Sequence, residues 1–279
     1  MSIRTDLAIE IGEQYKDDDV EIQGVAIEEL FTKNEDIKVT LVDIFNENGV
    51  QLMNRPIGKY ITIENNKGEE DKLTKIIIKY LRDLTKHIKN KSILVVGLGN
   101  KDVTPDALGP FVVEQIEVTR HFEKENGMAA ISPGVTGQTG MESGEIIRAI
   151  VKEMNINLVV AIDALAARSV DRLNNTIQIT NTGICPGAGI GNNRKELNKS
   201  TIGVEVIAIG VPTVVDASTI VSDALEKYMI KQGLKQEEIE SFNNDVRKEI
   251  INNMFVTPKD IDECVKNTSS VIAKAINEF

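Results

Sequence analysis

The sequence predicts an α/β protein: three α/β/α layers around a mainly parallel central sheet, with a small N-terminal β-hairpin or sheet. Three observations lead there. Four short runs, SILVVGLGN (92–100), MAAISPGV (128–135), NLVVAIDAL (157–165) and VEVIAIGVP (204–212), are apolar at nearly every position and end abruptly in glycine, proline or aspartate. Leu73, Ile76, Ile77, Leu81, Leu84 and Ile88 recur at helical spacing. From Ile37, apolar and polar residues alternate on both sides of Asn48-Gly49.

Residues 1–35 are acidic and weakly patterned, with three consecutive aspartates at Asp17, Asp18 and Asp19, and predict no definite element. The alternation from Ile37 onward, with a turn dipeptide at its centre, predicts two antiparallel strands. The stripe from Leu73 to Ile88 predicts a helix of about four turns lying against a sheet. Runs apolar at almost every position suit strands covered on both faces, and the helical stretches between them supply parallel crossovers. Ligands of such sheets bind beyond the carboxyl ends of the strands, where the glycine, proline and aspartate loops fall. Further helices are expected from about Asp216 to Lys231 and from Pro258 to the end. Thr257 would cap the latter, and Ile261, Val265, Ile272 and Ile276 fall roughly on one face. No internal repeat, linker or low-complexity tract interrupts this pattern.

The chain has 279 residues, of which 41% are hydrophobic and 27% charged. That is enough for one large or two small domains, since domains run to roughly 100–200 residues. The formal charge of -11 repels nucleic acid and anionic membrane, so direct DNA binding is disfavoured. Two widely separated cysteines, Cys185 and Cys264, suit a reducing cytoplasm. No apolar run has the length of a signal peptide or approaches the roughly 20 residues that span a bilayer, and an intracellular protein is expected.

Several familiar chemistries lack their residues. VVGLGN begins like a dinucleotide fingerprint, but Asp102 stands where the third glycine belongs, and an acidic side chain there opposes a pyrophosphate. The glycine-rich stretch 134–145 lacks the lysine of a phosphate loop, and no GxSxG elbow occurs. His87 and His121, the chain's two histidines, both fall on helical stretches away from the strand ends, which leaves no partner for a hydrolytic triad or a histidine-rich zinc site. Cys185, in TGICPGAGIG, sits on a loop without an obvious histidine beside it, so a packing role is favoured over a nucleophile.

Carboxylates at strand ends remain. Asp163 follows LVVAI directly, a costly place for a charge unless it is paired or used. Asp106 lies in GNKDVTPDALGP, where Thr104 can cap a helix with Pro105 in its first turn; the helix end would then favour an ionised Asp106, as in ordinary capping. Two carboxylates sharing a site can differ in protonation and hydrolyse a peptide without histidine, cysteine or metal. Asp216 and Glu142 are weaker alternatives, because each can simply begin a helix.

VVGLGN, TPDALGP, SPGVTGQTGMES, AIDALAARS, NTGICPGAGIGNNRKE and IGVPTVVDA occur in this order across roughly residues 93–220, and together they resemble the core of the germination protease family. The resemblance implies an atypical aspartic endopeptidase with a phosphorylase/hydrolase-like fold, similar to the hydrogenase maturation endopeptidases. It puts the catalytic pair on Asp106 and Asp163 and calls for no cofactor or resident metal. It also implies a zymogen that cleaves itself. TDLAIE (residues 5–10) is similar to the TEFASE or TEIASE sequences cut in substrates, so the implied bond joins Asp6 and Leu7. Residues 1–6 would be the propeptide and 7–279 a single peptidase domain. The implied partners are small acid-soluble spore proteins as substrates and further copies of the chain in a homotetramer, within the cytoplasm of the forespore and later the spore core. The rivals are a metal-dependent maturation endopeptidase on the same fold and a non-catalytic binding protein.

Overall fold

The computed structural model describes residues 5–16, 23–32, 36–66, 68–122, 127–187, 195–233 and 254–279. In chain order these form α1 (Ala8–Lys16), β1 (Val25–Phe31), β2 (Ile37–Ile44), α2 (Glu47–Met53), β3 (Gly58–Asn65), α3 (Glu70–Thr85) and β4 (Ile93–Gly97). After a 3-10 turn (Thr104–Asp106) come α4 (Leu108–Val113), β5 (Met128–Ile131), α5 (Thr136–Thr139), α6 (Ser143–Met154) and β6 (Leu158–Ala167). The chain continues through β7 (Thr176–Thr180), α7 (Lys199–Ile202), β8 (Glu205–Asp216), α8 (Ala217–Lys231), β9 (Phe255–Val256) and α9 (Ile261–Glu278). The aspartate triplet at Asp17–Asp19 and the glycine-rich segment 188–194 lie outside the described residues.

The four apolar runs become β4, β5, β6 and β8, which pair in parallel in the order β5-β4-β6-β8. β7 then joins β8 antiparallel and pairs β3 on its other side, so the N-terminal strands β1, β2 and β3 extend the same sheet. Among the described residues nine strands form this one sheet, with β9 beside β8. Alternate side chains divide it into two faces. α3, α4 and α9 cover Val95, Val160, Ile162, Ile207 and Ile209 on one face, while α6 and α7 cover Leu94, Val96, Val159 and Val206 on the other. On that second face, toward the carboxyl ends of β6 and β8, Leu7 and Ile9 pack against Leu165, Ala167 and Val215. The result is the expected three layers.

The region 45–57 departs from the expected tight turn. Asn46 accepts the Gly49 N–H at 3.0 Å and caps α2, which Asn54 ends in the left-handed conformation at φ 46°. Met53 is fully buried beside Val42, Ile44 and Tyr60, so the burial of its side chain favours the helical turn over the hairpin turn. β2 and β3 are antiparallel neighbours nonetheless. Thr257 also differs from its expected capping role: its hydroxyl donates to Thr213 O at 2.9 Å, and Asp260 occupies the cap position of α9.

One cross-strand row is polar. Thr40 pairs Thr62, Thr62 pairs Gln178, and both Gln178 and Asp163 pair Gly210. The row runs under the second face from β2 to β6. The hydroxyls of Thr40 and Thr62 are buried without a hydrogen-bond partner, a situation costing about 1–3 kcal/mol each. Thr62→Val, which keeps the β-branched shape, should therefore raise the unfolding free energy by about 1 kcal/mol in urea titration.

Candidate active site

The crevice opens because neighbouring strands end at different heights. β4 pairs β6 as far as Gly97 opposite Ile162, and Leu98 N–H donates to Ile162 O at 2.8 Å as a last link. β6 continues beside β8 to Ala167. The residue after the last paired position is Asp163. From β4 the chain crosses through α4 to β5 on one side, whereas β6 lies on the other, which is the switch-point arrangement that leaves a crevice at the carboxyl ends of parallel strands. Asp163 thus sits within a strand, not at its end as expected; it is β4 that stops. The residue is 4% exposed, and Oδ1 accepts the Ala164 N–H at 3.0 Å.

The path from β4 to α4 is tight. A Cβ on Gly109 would collide with Leu98 O and lie 2.7 Å from Ile162 O, so α4 can lie on the strand ends only with glycine there. Between them, the 3-10 turn presents Asp106. The expected helix-end stabilisation is replaced by a loop contact: Val103, not Thr104, occupies the cap position, and Asp106 Oδ2 accepts the Asn100 N–H at 2.8 Å. Gly99, at φ 106°, allows this approach, since a Cβ would strike Asp106 O. A bulge in β8 fixes the turn from the other side. Leu165 pairs Pro212 and Ala166 pairs Val214, which leaves Thr213 between them to donate its hydroxyl to Pro105 O at 2.7 Å.

Asp106 and Asp163 line one cavity of about 310 Å³, together with Asp6, Pro186, Thr213 and Phe255. Asp6 reaches it because residues 5–10 are held along β6. Asp6 N–H donates to Ala166 O at 2.9 Å, and Asp6 Oδ2 accepts the Ala166 N–H at 2.9 Å. Leu7 is fully buried. The Thr5 hydroxyl accepts the Leu7 N–H at 3.0 Å and is bonded to Glu10, while Thr5 O accepts from Arg55 Nη2 at 2.8 Å. Met1–Arg4 of the expected propeptide lie outside the described residues.

Sequence reasoning missed the groups that hold this segment. Glu10, 4% exposed, accepts the N–H groups of Arg168 at 2.8 Å and Ser169 at 3.0 Å, with Arg172 Nε 3.5 Å away. Arg172 also meets Glu13 at 2.6 Å and Glu64 at 3.1 Å. Gln178 accepts the Ala8 N–H at 2.8 Å and donates to Asp6 O at 3.2 Å. A glutamine between isoleucines in TIQIT was the available signal, because its neighbours predict burial on both sides.

The remaining candidates fall elsewhere. Asp216 caps α8 through Ser218 N–H at 2.8 Å. Glu142 precedes α6, 3.5 Å from the Thr136 hydroxyl. His87 is exposed, 3.7 Å from Glu205, and His121 lies against Phe122. Among the described residues no group of three or more His, Cys, Asp or Glu side chains is placed to hold a metal ion. Cys185 lines a separate cavity of about 140 Å³ with Asp6, Arg55 and Glu196. Burial pushes its thiol above the usual range, Glu196, Asp6 and Asp163 push it further, and Arg55 opposes them. That environment suppresses the thiolate, which is the nucleophilic form.

The family model described as germination protease matches residues 4–238. A germination protease of Clostridium perfringens is 44% identical over 307 aligned residues, which cover 99% of this chain and 94% of that one. Another, from Bacillus velezensis, is 38% identical, with 99% and 92% covered. Among solved structures, the NiFe hydrogenase maturation protease HycI of Thermococcus kodakarensis aligns with a TM-score of 0.39 at 16% identity, covering 71% of this chain and 98% of that chain.

Two outcomes follow from this geometry. Gly109→Ala should lower stability by about 3 kcal/mol, the upper end of overpacking costs, as read from thermal unfolding. Because its pKa is raised, Cys185 should be alkylated by iodoacetamide at neutral pH more slowly than glutathione, and Cys185→Ser should leave peptidase activity unchanged.

Proposed function

The chain belongs to the germination protease family, a family of aspartic-type endopeptidases, and on that premise we propose that it cleaves small acid-soluble spore proteins at germination with Asp106 and Asp163 as its catalytic pair. The observation that supports this reading most is the shared cavity: Asp106, Asp163 and Asp6 of the chain's own TDLAIE sequence line it. The chain is a zymogen whose residues 1–6 are removed by cleavage between Asp6 and Leu7, with residues 7–279 as one peptidase domain. It works in the cytoplasm of the forespore and spore core as a homotetramer. Among the described residues no helix is long and apolar enough to cross a membrane.

The two carboxyls divide the chemistry by environment. Burial in β6 favours the neutral acid at Asp163. The Asn100 N–H and partial exposure favour the carboxylate at Asp106. Asp106 takes a proton from water as the water oxygen bonds to the peptide carbonyl carbon, and Asp163 gives its proton to the carbonyl oxygen. Collapse of the tetrahedral species breaks the C–N bond. The leaving nitrogen then takes the proton from Asp106, and Asp163 recovers one from the hydroxyl.

Asp106→Asn and Asp163→Asn should each lower kcat for a TEIASE-type peptide by at least about 10²-fold, the usual contribution of a positioned acid or base. Thermal unfolding should stay close to that of the wild type. Wild-type turnover by either folded variant would remove that residue from the pair.

A further inference from the structure

Resting on the reading of Asp6–Leu7 as the self-cleavage bond, we propose that Gln178 is the oxyanion donor for that cleavage. Its carboxamide spans the reacting region: Nε2 donates to the Asp6 carbonyl oxygen at 3.2 Å, and Oε1 accepts the Ala8 N–H at 2.8 Å. The second bond fixes the orientation of the amide, because only the oxygen can face the Ala8 N–H. Nε2 therefore points at the carbonyl that hydrolysis attacks. Gln178 is 7% exposed, so its N–H acts where water screens it little.

The sheet register places this donor opposite Asp163. Both residues pair Gly210, Gln178 from β7 and Asp163 from β6, and at about 4.8 Å per strand step their Cα atoms stand roughly 10 Å apart on the same face. Leu165, whose side chain lies over Gly210, packs with Leu7 on the far side of the bond. Ala166 holds the Asp6 backbone and carboxylate, and Arg55 holds the carbonyl of Thr5. The residue before the bond is thus tied at its backbone N–H, its side chain and its carbonyl oxygen.

The carbonyl oxygen has two lone pairs. As the water oxygen bonds to the Asp6 carbonyl carbon and gives one proton to Asp106, the π pair moves onto the carbonyl oxygen; one lone pair there takes the Asp163 proton while another accepts the hydrogen bond from Gln178 Nε2–H. The C–N bond then breaks with its electron pair going to the Leu7 nitrogen, which takes the proton held by Asp106, while a hydroxyl returns a proton to Asp163 and Asp6 keeps the new carboxyl group. Gln178 itself gains and loses nothing. Removing one such donor in an acyl-transfer site slows the reaction by about 10²–10³-fold.

The test is self-cleavage of the full-length chain, followed by mass spectrometry for the wild type, Gln178→Glu, Gln178→Met and Asp163→Asn, with hydrogen exchange of residues 5–12 in parallel. Gln178→Glu keeps the acceptor for Ala8 and the side-chain length but loses the donor when ionised. It should cleave at least about 10²-fold more slowly at neutral pH, recover as falling pH protonates the new carboxyl, and keep the Leu7 and Ala8 amides protected. Gln178→Met should be slow at every pH. Cleavage by Gln178→Glu or Gln178→Met at the wild-type rate overturns the proposal, as does slowing that is matched by loss of amide protection, since Gln178 would then be only an anchor. Failure of the wild type to cut between Asp6 and Leu7, or cutting there by Asp163→Asn, overturns instead the reading on which the proposal rests.

Discussion

A carboxyl group in the middle of a buried strand is the constraint around which the rest is arranged. Asp163 is 4% exposed, with apolar neighbours Ile162 and Leu165 along its strand, and an unpartnered charge in such a place costs several kcal/mol. The neighbouring strand β4 ends one position short of it. The glycine-shaped path from Gly97 to Gly109 then turns the chain away and returns Asp106 to the same cavity, braced by Asn100 on one side and the bulged Thr213 on the other. The polar surroundings of Asp163 thus come from a loop, from the N-terminal segment that lines the same cavity, and from the polar cross-strand row that ends at it, while the opposite face of the sheet is apolar.

The N-terminal segment is anchored unequally on its two sides of the Asp6–Leu7 bond. On the carboxyl side Leu7, Ala8 and Ile9 are core residues, and full burial of a leucine or isoleucine contributes about 1.5–3 kcal/mol each. Glu10 adds a buried carboxylate satisfied by two backbone N–H groups and Arg172. On the amino side Thr5 and Asp6 are held by polar contacts with Arg55, Ala166 and Gln178. Cleavage at this bond would release the side held by hydrogen bonds and keep the side held by packing, so that α1 stays as part of the second face of the sheet.

Much of this was legible in the sequence, and the gaps have physical causes. The four apolar runs gave the parallel strands, because burial on both faces leaves an unmistakable composition. Asp163 followed from the same runs as a charge where none belongs. β1 and β7 were missed: β1 is an edge strand with mostly exposed residues, and the five residues of TIQIT are too few to show a period. In the region of Asn48-Gly49 a local turn signal competed with the Asn46 cap and the burial of Met53, and packing decided. Asp106 was found chiefly through family resemblance, since its local sequence reads as helix capping. Its actual partner, the Asn100 N–H, depends on the fold of the glycine loop. Gln178 left only a faint trace, because its role depends on residues 170 positions away in the chain.

The most direct measurement is the rate and position of self-cleavage in the full-length chain across a wide range of protein dilution, read by mass spectrometry of the intact protein. A segment already lodged beside Asp106 and Asp163 of its own chain predicts release of residues 1–6 at a rate that does not change with concentration. Cleavage at another bond, or a rate that rises in proportion to protein concentration, would contradict the account.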